Sequence, residues 1–209
     1  HVQPPDLGAY ALDARSGFLR LRGAAARLGE GDGPVTFVGR RLEHPDFTAT
    51  ARLDFDPADE RAEAGISLLN NGTHFDLLVR RSNGQRVVVV RLQFGTVHYE
   101  SDAIVLAPGV VDLRVEGDGP TFRFSFGQGQ GALQPIQDVS ARYLSSETIG
   151  GFTGVYVGLY ATGNGRPSEA PADYDWFEYM AGRPASPNAE AFDDVSTDQD
   201  TTRRSTPSR

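Results

Sequence analysis

An all-β fold of two packed antiparallel sheets, a sandwich or jelly roll, is predicted by three observations. Apolar and polar residues alternate with period two in run after run, most cleanly over residues 47–55, as strands with one buried and one solvated face require. The runs are short, about eleven in all, and Gly/Asn turns separate them. No stretch carries the period of a convincing helix, and no repeat marks the blades of a propeller.

In chain order, residues 1–16 read as irregular, with Pro4-Pro5 among them. Residues 17–23 (Gly-Phe-Leu-Arg-Leu-Arg-Gly) form a short strand, 24–34 a Gly/Ala loop and 35–41 a second strand. Phe47, Ala49, Ala51, Leu53 and Phe55 alternate with Thr48, Thr50, Arg52 and Asp54 in the third. Strands 64–69 and 74–80 flank Asn70-Asn71-Gly72-Thr73. Asn-Gly between apolar runs is the strongest short hairpin signal, and turn chemistry accounts for these residues better than the glycosylation sequon they also spell. A second Asn-Gly turn, Asn83-Gly84, leads into 86–93, where Val87-Val88-Val89-Val90 calls for burial on both faces. Strands 96–101, 110–115 and 121–126 follow, then a Gly/Gln loop over 127–139 and a helical turn or short strand over 140–149. The last strand spans 172–180. From Arg183 onward almost nothing is apolar, the composition of a disordered tail. The chain thus divides into a sandwich over 1–182 and a tail over 183–209.

The chain is organised around Gly150-Gly151-Phe152-Thr153-Gly154-Val155-Tyr156-Val157-Gly158-Leu159. A glycine-dense corner, where positive φ is free of steric cost, throws out one ring, Phe152. The strand behind it sends Val155, Val157 and Leu159 one way and Tyr156 and Tyr160 the other. Phe152 is either a core plug or a finger offered to another surface.

Composition narrows the chemistry. The net charge of −8 makes nucleic acid and anionic membranes poor partners. Without cysteine there is no disulfide framework, thiol nucleophile or thiolate metal site. No stretch reaches membrane-spanning length, so a soluble protein is expected. The opening His1-Val2-Gln3-Pro4-Pro5 lacks the regions of a signal peptide, and a start without Met is expected of a processed or excised piece. His44, His74 and His98 have no histidine at metal-ligand spacing.

Several segments, in order, resemble one family. They are residues 17–23, Arg40-Arg41 through His44, Phe47 with its strand, Ala64-Gly65-Ile66, residues 150–159 and Ala172-Asp173-Tyr174-Asp175-Trp176-Phe177-Glu178-Tyr179. Together they are similar to the C-terminal concanavalin A-like β-sandwich domain of family 43 glycoside hydrolases of the β-xylosidase type. The resemblance implies an accessory domain that packs on a five-bladed catalytic propeller, in the same or a partner chain, and that takes part in hemicellulose breakdown. It implies no catalytic residue here: the carboxylates of that family lie in the propeller. It assigns Phe152, with Thr153 beside it, to the rim of a pocket for xylo- or arabino-oligosaccharides, and Arg40 and Arg41 to an interdomain contact or a local ion pair. Members often form homo-oligomers. Leu133 stands where the family usually has a Trp.

Two further readings belong to other classes. Tyr156, Tyr160, Tyr174 and Trp176 form a sugar-binding platform if their strands pair, as in a stand-alone carbohydrate-binding module, or else a wall of the core. Asp173, Asp175 and Glu178 resemble the acidic triplets of sandwich-fold glycosidases, although strict alternation puts Glu178 on the opposite face unless a bulge intervenes. No cofactor is required. A structural calcium is a further option, with Asp175 its best single ligand.

Overall fold

The computed structural model describes residues 7–30, 33–150 and 154–182; the expected tail lies outside them. In chain order the strands are β1 (Tyr10–Ala11), β2 (Leu19–Arg22), β3 (Thr36–Arg41), β4 (Asp46–Asp54), β5 (Glu63–Asn70), β6 (Thr73–Ser82) and β7 (Gln85–Phe94), then β8 (Val97–Glu100), β9 (Ile104–Val105), β10 (Val111–Asp118), β11 (Thr121–Gly127), β12 (Gln134–Ser140), β13 (Tyr156–Thr162) and β14 (Pro171–Ala181). A 3-10 turn, Ala141–Leu144, and a one-turn helix α1, Ser146–Ile149, precede the glycine corner.

The strands form two sheets. One runs β1-β2-β14-β4-β10-β11-β12; the other runs β3-β13-β5-β6-β7-β8, with β9 also on β7. Every named pairing is antiparallel, which is the expected sandwich. The last two strands of the fold, β13 and β14, enter the interior of both sheets between strands made much earlier. Alternation sets the core. Phe47, Ala49, Ala51 and Leu53 of β4 meet Ile66, Leu68, Leu77, Val88, Val90, Val157 and Leu159 from the other sheet in one buried cluster. Both Asn-Gly hairpins turn as expected: Asn71 and Gly72 have φ of 45° and 84°, Asn83 and Gly84 of 49° and 75°, the positive pair of a type I′ turn.

The outer face of the second sheet is covered as well. Leu28, 2% exposed, joins Leu78, Val87, Val89 and Tyr160 in a second apolar cluster, so the valine run is buried on both sides. Burying Leu28 contributes about 1.5–3 kcal/mol, and its N–H donates to the Tyr160 hydroxyl at 3.2 Å.

Three elements depart from the sequence reading. Residues 134–140, expected as loop, form β12. Its Pro135 lacks the N–H a central strand needs, but β12 is an edge, where proline is tolerated. β1 and β9 are two-residue strands recruited by neighbours rather than by pattern. Leu133 folds over Gly127, 3.1 Å from where a Cβ there would stand, and fills space beside the β11 end.

Candidate functional site at the glycine corner

Two glycines frame the corner. Gly150 has φ 75° and closes α1, its N–H donating to the Ser146 carbonyl at 2.9 Å. Gly154 has φ 69°. A left-handed backbone at both positions costs other residues about 1–2 kcal/mol each, so glycine here is a geometric requirement. Phe152 and Thr153, the expected pocket residues, lie outside the described residues, between these two fixed points.

Both flanks of the corner are anchored. On one side, buried Asn70 donates from Nδ2 to the Leu144 carbonyl at 2.8 Å, and Leu144 itself is fully buried. On the other, the Leu42 N–H donates to the Val155 carbonyl at 2.8 Å. Exposed aromatic surface adjoins: Phe94 and Tyr143 meet edge-on, ring centroids 6.4 Å apart, at 38% and 47% exposure.

Arg40 and Arg41 part company on β3. Arg40 lies over the Tyr179 ring at 4.3 Å and pairs with Glu43 at 3.2 Å, so it closes the open side of the sandwich within this domain. Arg41 is on the corner side, 5.8 Å above the Tyr156 ring, with its Nε 3.8 Å from where a Gly154 Cβ would stand. Register aligns it in an outward row, Arg41–Tyr156–Leu69–His74–Gln93–His98, across the second sheet.

The four-ring platform does not form, which corrects that expectation. β13 and β14 belong to different sheets, so Tyr156 and Tyr160 are not beside Tyr174 and Trp176. Tyr160 and Tyr174 are each 1% exposed. The Tyr174 hydroxyl donates across the core toward the Gly65 carbonyl at 2.8 Å and the Tyr160 carbonyl at 3.0 Å, and burial pushes both phenols well above their ordinary titration range. Tyr156 is half-buried at the corner, and half-buried Trp176 is on the far sheet, 5.5 Å from the Arg52 guanidinium.

The acidic triplet is not a catalytic set either. β14 bulges between Tyr174 and Trp176, which leaves Asp175 exposed and without a cross-strand partner. The bulge reverses the expected alternation, so Asp173, opposite Asp54, and Glu178, opposite Thr50, share the outer face. Those partners are four positions apart on β4, about 13 Å at strand rise, wider than glycosidase carboxylates stand. Asp173 is 4% exposed and clamped by Arg20 at 2.6 and 2.8 Å and Arg15 at 3.1 Å. The Arg20 hydrogen bonds, with a smaller share from Arg15, hold its carboxyl below the usual range against the effect of burial, the opposite of what a general acid needs. Among the described residues no group of three His, Cys, Asp or Glu side chains could hold a metal ion.

One constellation escaped the sequence reading. His74 Nδ1 and Asp76 Oδ2 are 2.8 Å apart, and both residues are buried. Beside them Arg91 binds Glu63 through two bonds of 2.6 and 2.7 Å. The available signal was His-x-Asp on one strand, which puts both side chains on one face.

The profile of the family described as "Beta xylosidase C-terminal Concanavalin A-like domain" matches residues 1–180. A non-reducing end alpha-L-arabinofuranosidase of Bacteroides ovatus is 34% identical over 180 residues, 85% of this chain and 34% of that protein. A xylosidase/arabinosidase of Butyrivibrio fibrisolvens is 26% identical over 80% of this chain and 32% of its own length. A solved Bacteroides ovatus structure from a xyloglucan utilisation locus superposes with a TM-score of 0.80 at 34% identity, over 86% of this chain and 36% of that one. A xylan beta-1,4-xylosidase from Bacillus halodurans shares the fold with a TM-score of 0.78 at 24% identity, over 85% of this chain and 35% of that one. The chain therefore spans about a third of the length of the relatives it matches.

Proposed function

Because the chain belongs to the β-xylosidase C-terminal concanavalin A-like domain family, we propose that it is the accessory sandwich of a family 43 glycoside hydrolase and that residues 1–182 are its folded unit. In this reading the domain packs on a five-bladed catalytic propeller, and the glycine corner lends Phe152 to the rim of the propeller's pentose pocket. The substrate class is a xylo- or arabino-oligosaccharide, as the names of the relatives suggest. A ring there excludes water and gives the sugar an apolar wall.

The carrying observation is the corner itself. Gly150 and Gly154, both at positive φ, bracket Phe152 between anchors at Leu144 and Val155. Arg41, Tyr143 and Phe94 supply exposed charge and rings on the same side, suited to the half-polar contact typical between domains.

The test is Phe152→Ala in a protein that carries the propeller, assayed on aryl-xyloside and aryl-arabinofuranoside. The expected result is a loss of kcat/KM of roughly tenfold or more, about 1.4 kcal/mol of transition-state stabilisation, with Tm unchanged. Unaltered kinetics on both substrates would overturn the role of Phe152. Turnover by the 209-residue chain alone would overturn the accessory reading.

A further inference from the structure

β8 closes the second sheet on one side and β12 closes the first. The Tyr99 hydroxyl joins the two edges, donating to Gln137 Oε1 at 3.1 Å. Val88, Val90 and Leu92 of β7 belong to the core cluster, so period-two alternation puts Phe94 on their side. The register puts Val97 and Tyr99 there too, opposite Phe94 and Leu92. Cover runs out along this face. Val88 and Val90 are fully buried, whereas Phe94, Tyr99 and, at 65%, Val97 are exposed. Tyr143 meets the Phe94 ring edge-on and is exposed as well. Four of the nine large apolar side chains exposed among the described residues therefore stand together. Scattered single ones are ordinary on a surface, but a group of them marks a contact.

The position of this patch says what covers it. Tyr156, Leu69, His74, Gln93 and His98 form one row across the second sheet. The glycine corner lies just beyond Tyr156, and Phe94 and Val97 lie just beyond Gln93 and His98, at the same end of the strands. Four strand spacings separate them, about 19 Å. The 3-10 turn that carries Tyr143 leads through α1 straight into Gly150. An interdomain interface of roughly 600–1,500 Å², shared between two partners, is wide enough to cover both places. A neighbour of that size exists in the relatives, where the matched region is only about a third of the chain.

We propose that Phe94, Val97, Tyr99 and Tyr143 are a second docking foot for the catalytic propeller, received by an apolar patch beside its sugar pocket, and that this foot fixes the angle at which the corner presents Phe152. The inference rests on the accessory reading above. One inserted ring is a pivot. A second contact some 19 Å away removes the rotation, and a wall for a reacting sugar works only while it is held in place. These four are positioning residues that act through Phe152.

The experiment compares amide hydrogen exchange in the 209-residue chain with that in a protein that carries the propeller, and assays variants of the latter on aryl-xyloside and aryl-arabinofuranoside. Exchange at residues 94–99 and 142–144 should slow about tenfold or more where the propeller is present, and exchange at residues 104–105 should not change. Val97→Asp and Tyr143→Ala should each lower kcat/KM about threefold or more, leave the Tm of the 209-residue chain unchanged, and lose their effect once Phe152 is already Ala. Val105→Asp, also at an exposed site but at the other end of β7, should alter neither. Unchanged exchange at residues 94–99, or full activity in both patch variants while Phe152→Ala is impaired, would overturn the second foot and leave the corner reading standing. Patch effects that persist undiminished in Phe152→Ala would overturn the positioning role. Self-association of the 209-residue chain that Val97→Asp abolishes would also overturn the proposal, by assigning the patch to a second copy. Turnover by the 209-residue chain alone would instead overturn the accessory reading, and the proposal with it.

Discussion

Tyr174→Phe removes one oxygen from the centre of the sandwich. Tyr174 is on β14, and its hydroxyl reaches carbonyls of β5 and β13 in the opposite sheet, at 2.8 Å from Gly65 and 3.0 Å from Tyr160. It is a polar tie through an otherwise apolar core. A net hydrogen bond is worth about 0.5–1.5 kcal/mol, and a buried acceptor left short of its donor costs about 1–3 kcal/mol. Phenylalanine keeps the ring, so no large cavity adds to the loss. The expected loss is about 2 kcal/mol, which for a domain of this size lowers Tm by roughly 4–8 °C. Urea unfolding checks it: the midpoint should fall while the m-value stays constant, because the area exposed on unfolding hardly changes. A variant as stable as the parent would refute the tie, and a changed m-value would show that the substitution acts on the denatured state.

Three other outcomes follow from the same geometry. Asp173→Asn should cost about 1–3 kcal/mol at neutral pH, as Arg20 loses a charged partner. Because Asp173 titrates below its unfolded value, the gap in Tm between parent and variant should close as pH falls below about 4, and a gap that persists in acid would contradict the clamp. His74 titrates above its unfolded value, so its stabilisation is complete below about pH 6.5 and is lost as pH rises through the folded value. Melts across this range should show the parent losing its advantage over His74→Gln toward alkaline pH, and a constant difference would refute the pair with Asp76. Gly154→Ala forces φ 69° on a side chain, at about 1–2 kcal/mol, or roughly 2–8 °C in Tm; Gly131→Ala, at ordinary φ, should stay within about 0.5 kcal/mol of the parent.

What could be read from the chain was whatever depends on near neighbours. The alternation of β4, the two Asn-Gly hairpins, the valine run and the split faces of β13 all follow from period-two geometry and turn chemistry, and all of them form. What could not be read depends on distant partners. Alternation put Tyr160 on the outer face, but Leu28, 132 residues away, is what buries it. Asp173, Asp175 and Glu178 look like one set until the bulge in β14 sets Asp175 aside and Arg20, on β2, claims Asp173. β12 was hidden by Pro135 and its glycine-rich approach, since only its edge position makes proline harmless. His74 and Asp76 were visible as a spacing, but their burial depends on the turn that closes over them.

The placement of β13 and β14 has a consequence for how the domain is made. Among the described residues β3 pairs with β13 alone, and its partner residues lie more than a hundred positions later. At translation rates of roughly 5–20 residues per second, the bare edges of β3 and β5 wait on the order of ten seconds for β13 to emerge. Neither sheet can close before then. Residues 36–41 and 63–70 are thus the segments a ribosome-bound chaperone would find unpaired, and a nascent chain stalled before residue 156 would hold two open half-sheets, templates for pairing with a neighbouring chain.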